Sequence, residues 1–293
     1  MEASVSRAPA FGPGIYPNMT SETYHGIDAC SSSRLKLLKR SPAHCKESID
    51  NPNAHQTPAL ILGGAIHCAV LEPELFASRY VVRPSFGRTK AELEVKAAWE
   101  AANCTSQTIS QDDQALCFKL RDLLMAHKLA GPIFKKQSNT EISGIWVDGL
   151  TGILCKLRSD SVSEKLSLVV DLKTTEDASP RAFSKAIFDY GYHRQGAWYL
   201  DGWKALGVEY RHYCIIAVEK KPPHGIAVYR LNTEGKAIAL GRKENTALKI
   251  RYANCLNSGQ WPSYPEVITD IELPAWAERQ IEEEYRHESD ASY

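Results

Sequence analysis

The most informative segment of the chain is Leu168-Val169-Val170-Asp171-Leu172-Lys173-Thr174-Thr175. An apolar, β-branched run that ends in a carboxylate, one apolar residue and a lysine is typical of a buried strand with two charged groups near its C-terminal end. Because side chains alternate along a strand, Asp171 and Lys173 point to the same face, on the order of 7 Å apart along it. Buried charges are costly unless they are paired or bind a metal, so the segment predicts a functional site.

A second segment, Lys156-Leu157-Arg158-Ser159-Asp160, also alternates and also ends on an aspartate. An antiparallel hairpin with residues 161–165 as its turn would bring Asp160 beside Asp171. Clustered carboxylate oxygens suit Mg²⁺ or Mn²⁺, which are hard ions that keep several waters and leave room for phosphate oxygens. Lys173 would then stabilise charge on the phosphate or acidify an attacking water.

The composition is that of an ordinary soluble globular protein. Of the 293 residues, 43% are hydrophobic and 24% are charged, and the 35 basic residues balance the 35 acidic ones. With a net charge of zero, any nucleic-acid surface has to be a local patch. The N-terminus lacks a basic segment followed by an apolar one, and no apolar run is long enough to span a bilayer. We therefore expect a cytoplasmic protein that does not associate with membranes.

The eight cysteines are scattered along the chain, and the nearest pair is Cys104 and Cys117. The sequence contains no Cys-x-x-Cys motif, which argues against a zinc ribbon or a cysteine-ligated iron–sulfur cluster. We expect reduced thiols that lie partly in the core.

We divide the chain into a mobile N-terminal arm over residues 1–18, a single domain over residues 19–273 and an acidic tail over residues 274–293. Helices, then a mixed sheet, then further helices and strands predict one α/β domain with helices flanking the sheet. The dipeptide Asp148-Gly149 is a strong hairpin signal between strands predicted over residues 140–147 and 150–157.

Two predicted helices carry candidate binding residues. The helix over residues 31–40 follows serine caps and has a basic face formed by Lys36, Lys39 and Arg40. This face is a candidate DNA contact, although basic helix faces are more often simply solvated. The segment over residues 58–73 predicts a buried helix whose single polar side chain is His67. A lone histidine in such a helix is usually a core residue, and only its relation to other motifs makes it a candidate ligand.

Taken together, these residues resemble the D…(D/E)xK signature of the restriction-endonuclease-like, or PD-(D/E)XK, nuclease superfamily. The signature residues are Asp160 and Asp171-Leu172-Lys173; His67 and the triplet Leu71-Glu72-Pro73 precede them, and Gln195-Gly196-Ala197-Trp198-Tyr199 follows. This order is similar to the RecB-like branch, and the span from residue 24 to residue 262 looks most like the nuclease domain of RecE-type exonucleases. Ser159 stands where the signature has proline, a departure that this branch tolerates.

The resemblance implies roles for individual residues. His67, Asp160, Asp171 and the Leu172 backbone carbonyl would ligate Mg²⁺, with Mn²⁺ as a substitute, and Lys173 would be the catalytic lysine. Gln195 and Tyr199, one helical turn apart, would orient Lys173 or hold a DNA phosphate. Glu141 is a candidate for an additional carboxylate in a second shell around the metal.

The resemblance also implies an activity and partners. It predicts digestion of double-stranded DNA from its ends, 5′ to 3′, which leaves a 3′ single strand for an annealing protein in recombination. It further predicts a ring-shaped homotetramer, in which a basic lining at Lys36, Lys39 and Arg40 would face the channel.

Other interpretations stay open at the level of sequence. Asp171 and Lys173 could form a surface ion pair, and Asp160 could cap a turn. Gln195 and Tyr199 could pack at the edge of the core. One alternative function is a non-catalytic DNA-binding or recombination scaffold of the same fold. Another is a CRISPR-associated or helicase-associated nuclease, whose usual four-cysteine cluster is not matched by the scattered cysteines.

Overall fold

A computed structural model describes residues 11–52, 57–104, 106–135 and 139–289. Its helices are α1 (Ser21–Gly26), α2 (Ser32–Arg40), α3 (Pro42–Asp50), α4 (Pro58–Leu71), α5 (Phe76–Arg79), α6 (Lys90–Ala102), α7 (Gln111–Ala126), α8 (Ala130–Lys135), α9 (Pro180–Asp189), α10 (Tyr192–Ala205), α11 (Lys236–Ser258) and α12 (Ala275–Ser289). Its strands are β1 (Gly14–Tyr16), β2 (Tyr80–Val82), β3 (Gln107–Ile109), β4 (Asn139–Val147), β5 (Leu154–Ser163), β6 (Leu168–Thr175), β7 (His212–Glu219) and β8 (Ile226–Leu231). Within the described ranges, no helix is long and apolar enough to cross a membrane.

The central sheet has the strand order β1-β4-β5-β6-β7-β8. Strands β6 and β7 are parallel, joined through α9 and α10, and the other neighbouring pairs are antiparallel. In the parallel pair, Asp171 lies opposite Ile215 and Lys173 opposite Ala217. The predicted fold class, a mixed sheet flanked by helices, is confirmed.

Alternation along β6 explains why helices cover both faces of the sheet. Val170 and Leu172 belong to a cluster that includes residues of α4 and α7. Val169 belongs to a second cluster, which contains residues of α2, α10 and α11. By the same alternation, Asp171 shares the face of Val169, so a carboxylate enters the layer between the sheet and α10.

Both predicted hairpins are present, and both differ from the prediction in their limits. The strand after the first turn begins at Leu154 instead of residue 150. In the first, Asp148 Oδ1 accepts a hydrogen bond of 3.0 Å from the Thr151 amide, and Gly152 adopts a φ of +70°. In the second, β5 runs on to Ser163 and β6 begins at Leu168, so residues 164–167 form the turn instead of residues 161–165. Pairing of Ser161 with Val170 extends the ladder beyond the predicted strand end at Asp160.

The predicted boundaries of the domain also differ from those observed. Residues 14–16 fall in the predicted mobile arm, but they form β1, which pairs with residues 143–145 at the sheet edge. The rest of the predicted arm up to residue 10 lies outside the described residues. The first compact unit ends at Pro262, and Ser263 begins a second unit that contains α12, whereas the sequence placed the boundary at residue 273.

A close contact between α10 and α11 gives the first testable prediction. At Gly241, an added Cβ atom would lie 2.4 Å from the His193 carbonyl oxygen, which is backbone and cannot move without shifting α10. We expect Gly241→Ala to lower the free energy of unfolding in urea by about 1–3 kcal/mol. Gly63→Ala is the matched control, because Gly63 is also helical and a Cβ there meets nothing within 4 Å. The control should gain about 0.5–1 kcal/mol, and equal effects would contradict this account.

Candidate metal centre and active site

Side chains from α4, β5 and β6 converge at one point of the first unit. His67 Nε2 lies 2.6 Å from the Leu172 carbonyl oxygen and 3.8 Å from Asp160 Oδ2. The same Asp160 oxygen accepts a hydrogen bond of 2.7 Å from the Leu172 amide. An imidazole, a carboxylate and a backbone carbonyl that are distant in sequence therefore meet around Leu172.

Packing of α4 on the sheet explains how His67 reaches this point. Ile66, Ala69 and Val70 of α4 lie in the same buried cluster as Val170 and Leu172. His67 follows Ile66 and is only partly buried, with 30% of its side chain exposed. The helix is thus fixed by its apolar side chains, and its single imidazole is placed at the edge of that contact.

Asp171 is a fully buried carboxylate with no exposed surface. Lys173 Nζ lies 2.6 Å from Asp171 Oδ2, but the contact lacks hydrogen-bond geometry, and neither carboxylate oxygen has a hydrogen-bond partner among the described residues. Buried carboxylates are normally hydrogen-bonded, and one that is not is incompletely stabilised. Asp171 therefore has capacity to accept a further cation or donor.

The electrostatics of the site favour binding of a cation. Burial raises the pKa of Asp171 to about 6, although Lys173 opposes the shift, and burial also raises the pKa of Asp160. Burial alone would lower the pKa of Lys173, but Asp171 and Asp160 hold it above its ordinary value. Burial, assisted by Lys173, lowers the pKa of His67 to about 4, so the imidazole is neutral at pH 7. A neutral imidazole beside two carboxylates is the form that ligates metals.

The donor set fits a divalent cation in its chemistry, although it is not already arranged as a cage. Within the described ranges, no three His, Cys, Asp or Glu side chains form a metal-holding group. The predicted donor set also includes the Leu172 carbonyl, and the Lys173 ammonium lies against Asp171. Two carboxylates, one carbonyl and one imidazole nevertheless match the preference of Mg²⁺ and Mn²⁺, and the unsatisfied oxygens of Asp171 are where such an ion would be stabilised.

Gln195 and Tyr199, the two further site residues predicted from the sequence, lie on α10 beside Asp160 and Lys173. Gln195 Nε2 donates a hydrogen bond of 2.9 Å to Tyr199 Oη, and both side chains line a groove of about 420 Å³ together with Asp160 and Lys173. Tyr199 is 7% exposed, and burial, then Asp171 and Asp160, raise its pKa well above the ordinary value. Its hydroxyl therefore stays protonated as a hydrogen-bonding group at the groove wall.

Glu141 also lies beside the site. The register of β4 and β5 places Glu141 between the pairs Thr140–Ser161 and Ile142–Ser159, opposite Asp160, and its φ is +55°. Burial, followed by the charge of Asp160, raises its pKa to about 7, while Arg158 Nε forms a close ion pair with it. The structure thus places Glu141 next to Asp160, where the sequence expected an accessory carboxylate.

Two further charged residues, Arg158 and Glu72, belong to segments noted in the sequence but were assigned no role there. The Arg158 guanidinium contacts Glu141, the Met19 carbonyl at 2.7 Å and Glu72 at 3.8 Å. Glu72 also forms an ion pair with Arg79. Alternation along β5 places Arg158 and Asp160 on one face, which is the one signal that would have identified Arg158.

The three basic residues predicted to form one face of α2 have different surroundings. Lys36 lines the groove, whereas Lys39 Nζ forms an ion pair of 2.7 Å with Glu244 of α11. Arg40 is exposed at the end of α2. Of the three residues, Lys36 alone is among those that line the groove.

A mixed sheet of this order, with two acids and a lysine beside a partly buried histidine, is the arrangement expected for the PD-(D/E)XK-like class of proteins. The chain belongs to the family described as "PDDEXK-like domain of unknown function (DUF3799)", whose family model matches residues 31–273.

Among solved structures, the fold is similar to that of a "Putative exonuclease" from Eubacterium rectale. The two share 13% identity with a TM-score of 0.58, over 87% of this chain and 95% of that chain, a likeness that shows the fold alone. The structure of SSO0001 also shares 13% identity, over 70% of this chain and 83% of that one, but its TM-score of 0.30 supports no argument. No curated protein matches the chain.

Proposed function

We propose that the protein is a metal-dependent deoxyribonuclease that digests double-stranded DNA from its ends. The observation that carries the proposal is the convergence of His67, Asp160 and the Leu172 carbonyl beside the buried Asp171. Among the described residues, Asp171 has the Lys173 ammonium as an ion-pair partner, and its oxygens accept no hydrogen bond. A structural ion pair does not require this arrangement, because buried charges retained for stability alone are normally saturated with hydrogen bonds. Membership in the PDDEXK-like family supports the same class of activity.

The cofactor in this proposal is Mg²⁺, with Mn²⁺ as a substitute. His67, Asp160, Asp171 and the Leu172 carbonyl would hold the ion, which would polarise a phosphoryl oxygen and acidify water. The chain itself supplies the lysine: Asp171 and Asp160 keep Lys173 protonated, so its ammonium can donate to a phosphate oxygen or orient the water. Tyr199 and Gln195, which share a hydrogen bond, would fix the substrate at the groove wall.

The resemblance to RecE-type exonucleases supports further proposals about the direction of digestion, the product and the assembly. They are 5′-to-3′ digestion in the cytoplasm, release of a 3′ single strand to an annealing protein during recombination, and a homotetrameric ring around the DNA. Lys36, at the groove, is the residue of α2 that supports a DNA-facing surface. The zero net charge is compatible with a basic surface confined to the inside of a ring.

Digestion of matched linear and circular DNA tests the proposed activity. We expect purified protein with Mg²⁺ to degrade linear duplex DNA and to leave covalently closed circles intact, with EDTA stopping the reaction and Mn²⁺ restoring it. Asp171→Asn preserves the shape of the side chain but removes its charge, and it should lower the rate at least about a thousandfold. Separate 5′ and 3′ end labels report the direction of digestion.

The other outcomes of this experiment are equally definite. Cleavage of the circle would identify an endonuclease, and binding without loss of either DNA would identify a non-catalytic scaffold of the same fold. Wild-type activity in Asp171→Asn would exclude Asp171 from the catalytic site.

A further inference from the structure

Exposed aromatic rings border the groove at the junction of α9 and α10. We define the aromatic rim as Phe188, Tyr190 and Tyr192. Phe188 is 69% exposed and Tyr190 is 55% exposed, whereas the other Phe, Tyr and Trp residues described for this unit are buried or half-buried. Tyr190 and Tyr192 line the same groove as Lys173 and Asp160. Through Tyr190 and Tyr192, the rim therefore forms part of the wall of the proposed catalytic groove.

Each ring of the rim lies roughly parallel to a neighbouring ring. The rings of Tyr190 and Tyr192 are 5.7 Å apart with an interplanar angle of 26°, and those of Phe188 and His193 are 6.3 Å apart at 8°. Gly191, between the two tyrosines, has a φ of +74°, which a side chain would strain. The turn between Tyr190 and Tyr192 thus depends on the glycine at position 191.

Each ring of the rim has a lysine ammonium nearby. Lys36 Nζ lies 5.4 Å from the centre of the Tyr190 ring, Lys39 Nζ 5.9 Å from that of Phe188, and Lys173 Nζ 5.2 Å from that of Tyr192. Aromatic faces that alternate with cationic groups are the surface that single-stranded nucleic acids require, because bases stack on the rings and phosphates pair with the cations.

The charges around Lys36 favour a phosphate from a ligand as its partner, because no acidic side chain of the described residues pairs with it. Lys36 forms no ion pair with a carboxylate of the described residues, and burial together with the charges of Arg194 and Lys173 lowers its pKa. Glu244 already pairs with Lys39 and contacts Arg194 at 3.5 Å, and Asp189 beside Tyr190 is exposed. Two further acids, Asp160 and Glu141, line the groove itself, where Glu141 pairs with Arg158. An anion that approaches Lys36 would relieve the repulsion among Lys36, Arg194 and Lys173.

We propose that the aromatic rim stacks the unpaired nucleotides of a DNA strand whose backbone enters the groove, with Lys36 contacting a phosphate of that strand. This inference rests on the proposed nuclease function and specifies its substrate: a DNA end with unpaired bases is bound more tightly than a fully paired end. The rim thereby selects frayed or single-stranded ends for the chemistry at Lys173.

The experiment measures binding without cleavage, in EDTA. A single-stranded 12-mer with 2-aminopurine near its 5′ end and a blunt duplex of the same sequence are titrated by fluorescence. We expect quenching of the 2-aminopurine signal and preference for the single strand in the wild type. Tyr190→Ala should weaken single-strand binding about 5- to 100-fold and abolish the quenching, whereas Tyr190→Phe should keep both.

Matched variants separate stacking from general effects. Lys36→Ala should weaken binding and reduce the salt dependence of the single-strand affinity by about 0.7 in log–log slope, with quenching retained. Leu150→Ala and Lys165→Ala, which alter an exposed apolar and an exposed basic residue that do not line the groove, should match the wild type.

Three results would overturn the inference: no single-strand binding by the wild type, unchanged quenching in Tyr190→Ala, or a changed oligomeric state of Tyr190→Ala on light scattering. The last result would identify the rim as a protein interface. The binding experiment needs no cleavage, so its failure leaves the proposed nuclease activity standing. Intact quenching without cleavage would remove the proposed nuclease activity and leave the stacking of bases on the rim standing.

Discussion

Lys173→Met is expected to lower the rate of DNA cleavage by about 10²–10⁴-fold at saturating Mg²⁺. Methionine keeps an unbranched side chain of similar reach, so the loss isolates the ammonium. In the structure this ammonium lies 2.6 Å from Asp171 Oδ2 and 5.2 Å from the centre of the Tyr192 ring, at the wall of the groove. A donor positioned there acts on the phosphate or on the water, and no other lysine in the DxK segment replaces it.

The same substitution should also destabilise the metal-free protein. Asp171 has no exposed surface, and no described residue donates a hydrogen bond to it, so removal of Lys173 leaves a buried carboxylate without its nearest counter-charge. Breaking a buried pair in this way costs about 3–5 kcal/mol, measurable by urea unfolding in EDTA. Mg²⁺ or Mn²⁺ should restore more stability to Lys173→Met than to the wild type, because the ion no longer competes with the ammonium for Asp171.

The pH dependence of this deficit has a definite sign. Burial raises the pKa of Asp171 to about 6 in the native protein, above the ordinary value of about 3.9. The native state therefore binds the proton more tightly, and the stability from this group is fully present below about pH 4 and is lost as the pH rises through 6. Without Lys173 the pKa rises further, so the deficit of Lys173→Met should be larger at pH 7 than at pH 5.

Lys165→Met is the matched control, because Lys165 is exposed in the turn between β5 and β6. It should leave both the cleavage rate and the unfolding free energy near wild-type values. Wild-type cleavage by Lys173→Met would show that the ammonium has no part in the reaction, and an unchanged stability would show that Asp171 finds another partner.

The sequence was most informative where one strand carries its own pattern. The apolar run before Asp171 predicted β6 correctly, because a strand buried on both faces is nearly continuously apolar, and β6 continues past Asp171 to Thr175. His67 could be linked to β6 only through a resemblance, since the packing of α4 on β6 joins residues far apart in the chain and leaves no local signal. The contact of its imidazole with the Leu172 carbonyl is a product of that packing.

Short and non-local features were beyond reach of the sequence. A three-residue edge strand such as Gly14–Tyr16 has too few positions to show a period, so it was included in a mobile arm. The basic face of α2 was visible, but the ion pair that occupies Lys39 depends on Glu244 of α11, a partner on a different helix. The exposure of Phe188 and Tyr190 likewise depends on how α9 and α10 meet, which their composition does not reveal.

Asp160→Asn and Asp160→Ala are expected to abolish cleavage alike and to differ in stability. Asp160 Oδ2 both faces His67 at 3.8 Å and accepts the Leu172 amide at 2.7 Å, so one atom serves the proposed metal site and the end of the β5–β6 ladder. An asparagine oxygen can still accept the amide hydrogen bond, but it lacks the charge that favours a divalent cation. Either variant should reduce cleavage at least about a thousandfold in Mg²⁺.

The stability of the two variants then separates the two roles of Asp160. Alanine leaves the Leu172 amide without its acceptor, which should cost about 1–3 kcal/mol relative to asparagine in urea unfolding with EDTA. Removal of the charge also relieves a carboxylate whose pKa burial raises, so Asp160→Asn should be at least as stable as the wild type without metal. Mg²⁺ should stabilise the wild type and neither variant. An inactive Asp160→Asn that still gains stability from Mg²⁺ would place the ion elsewhere and reduce Asp160 to a support for β6.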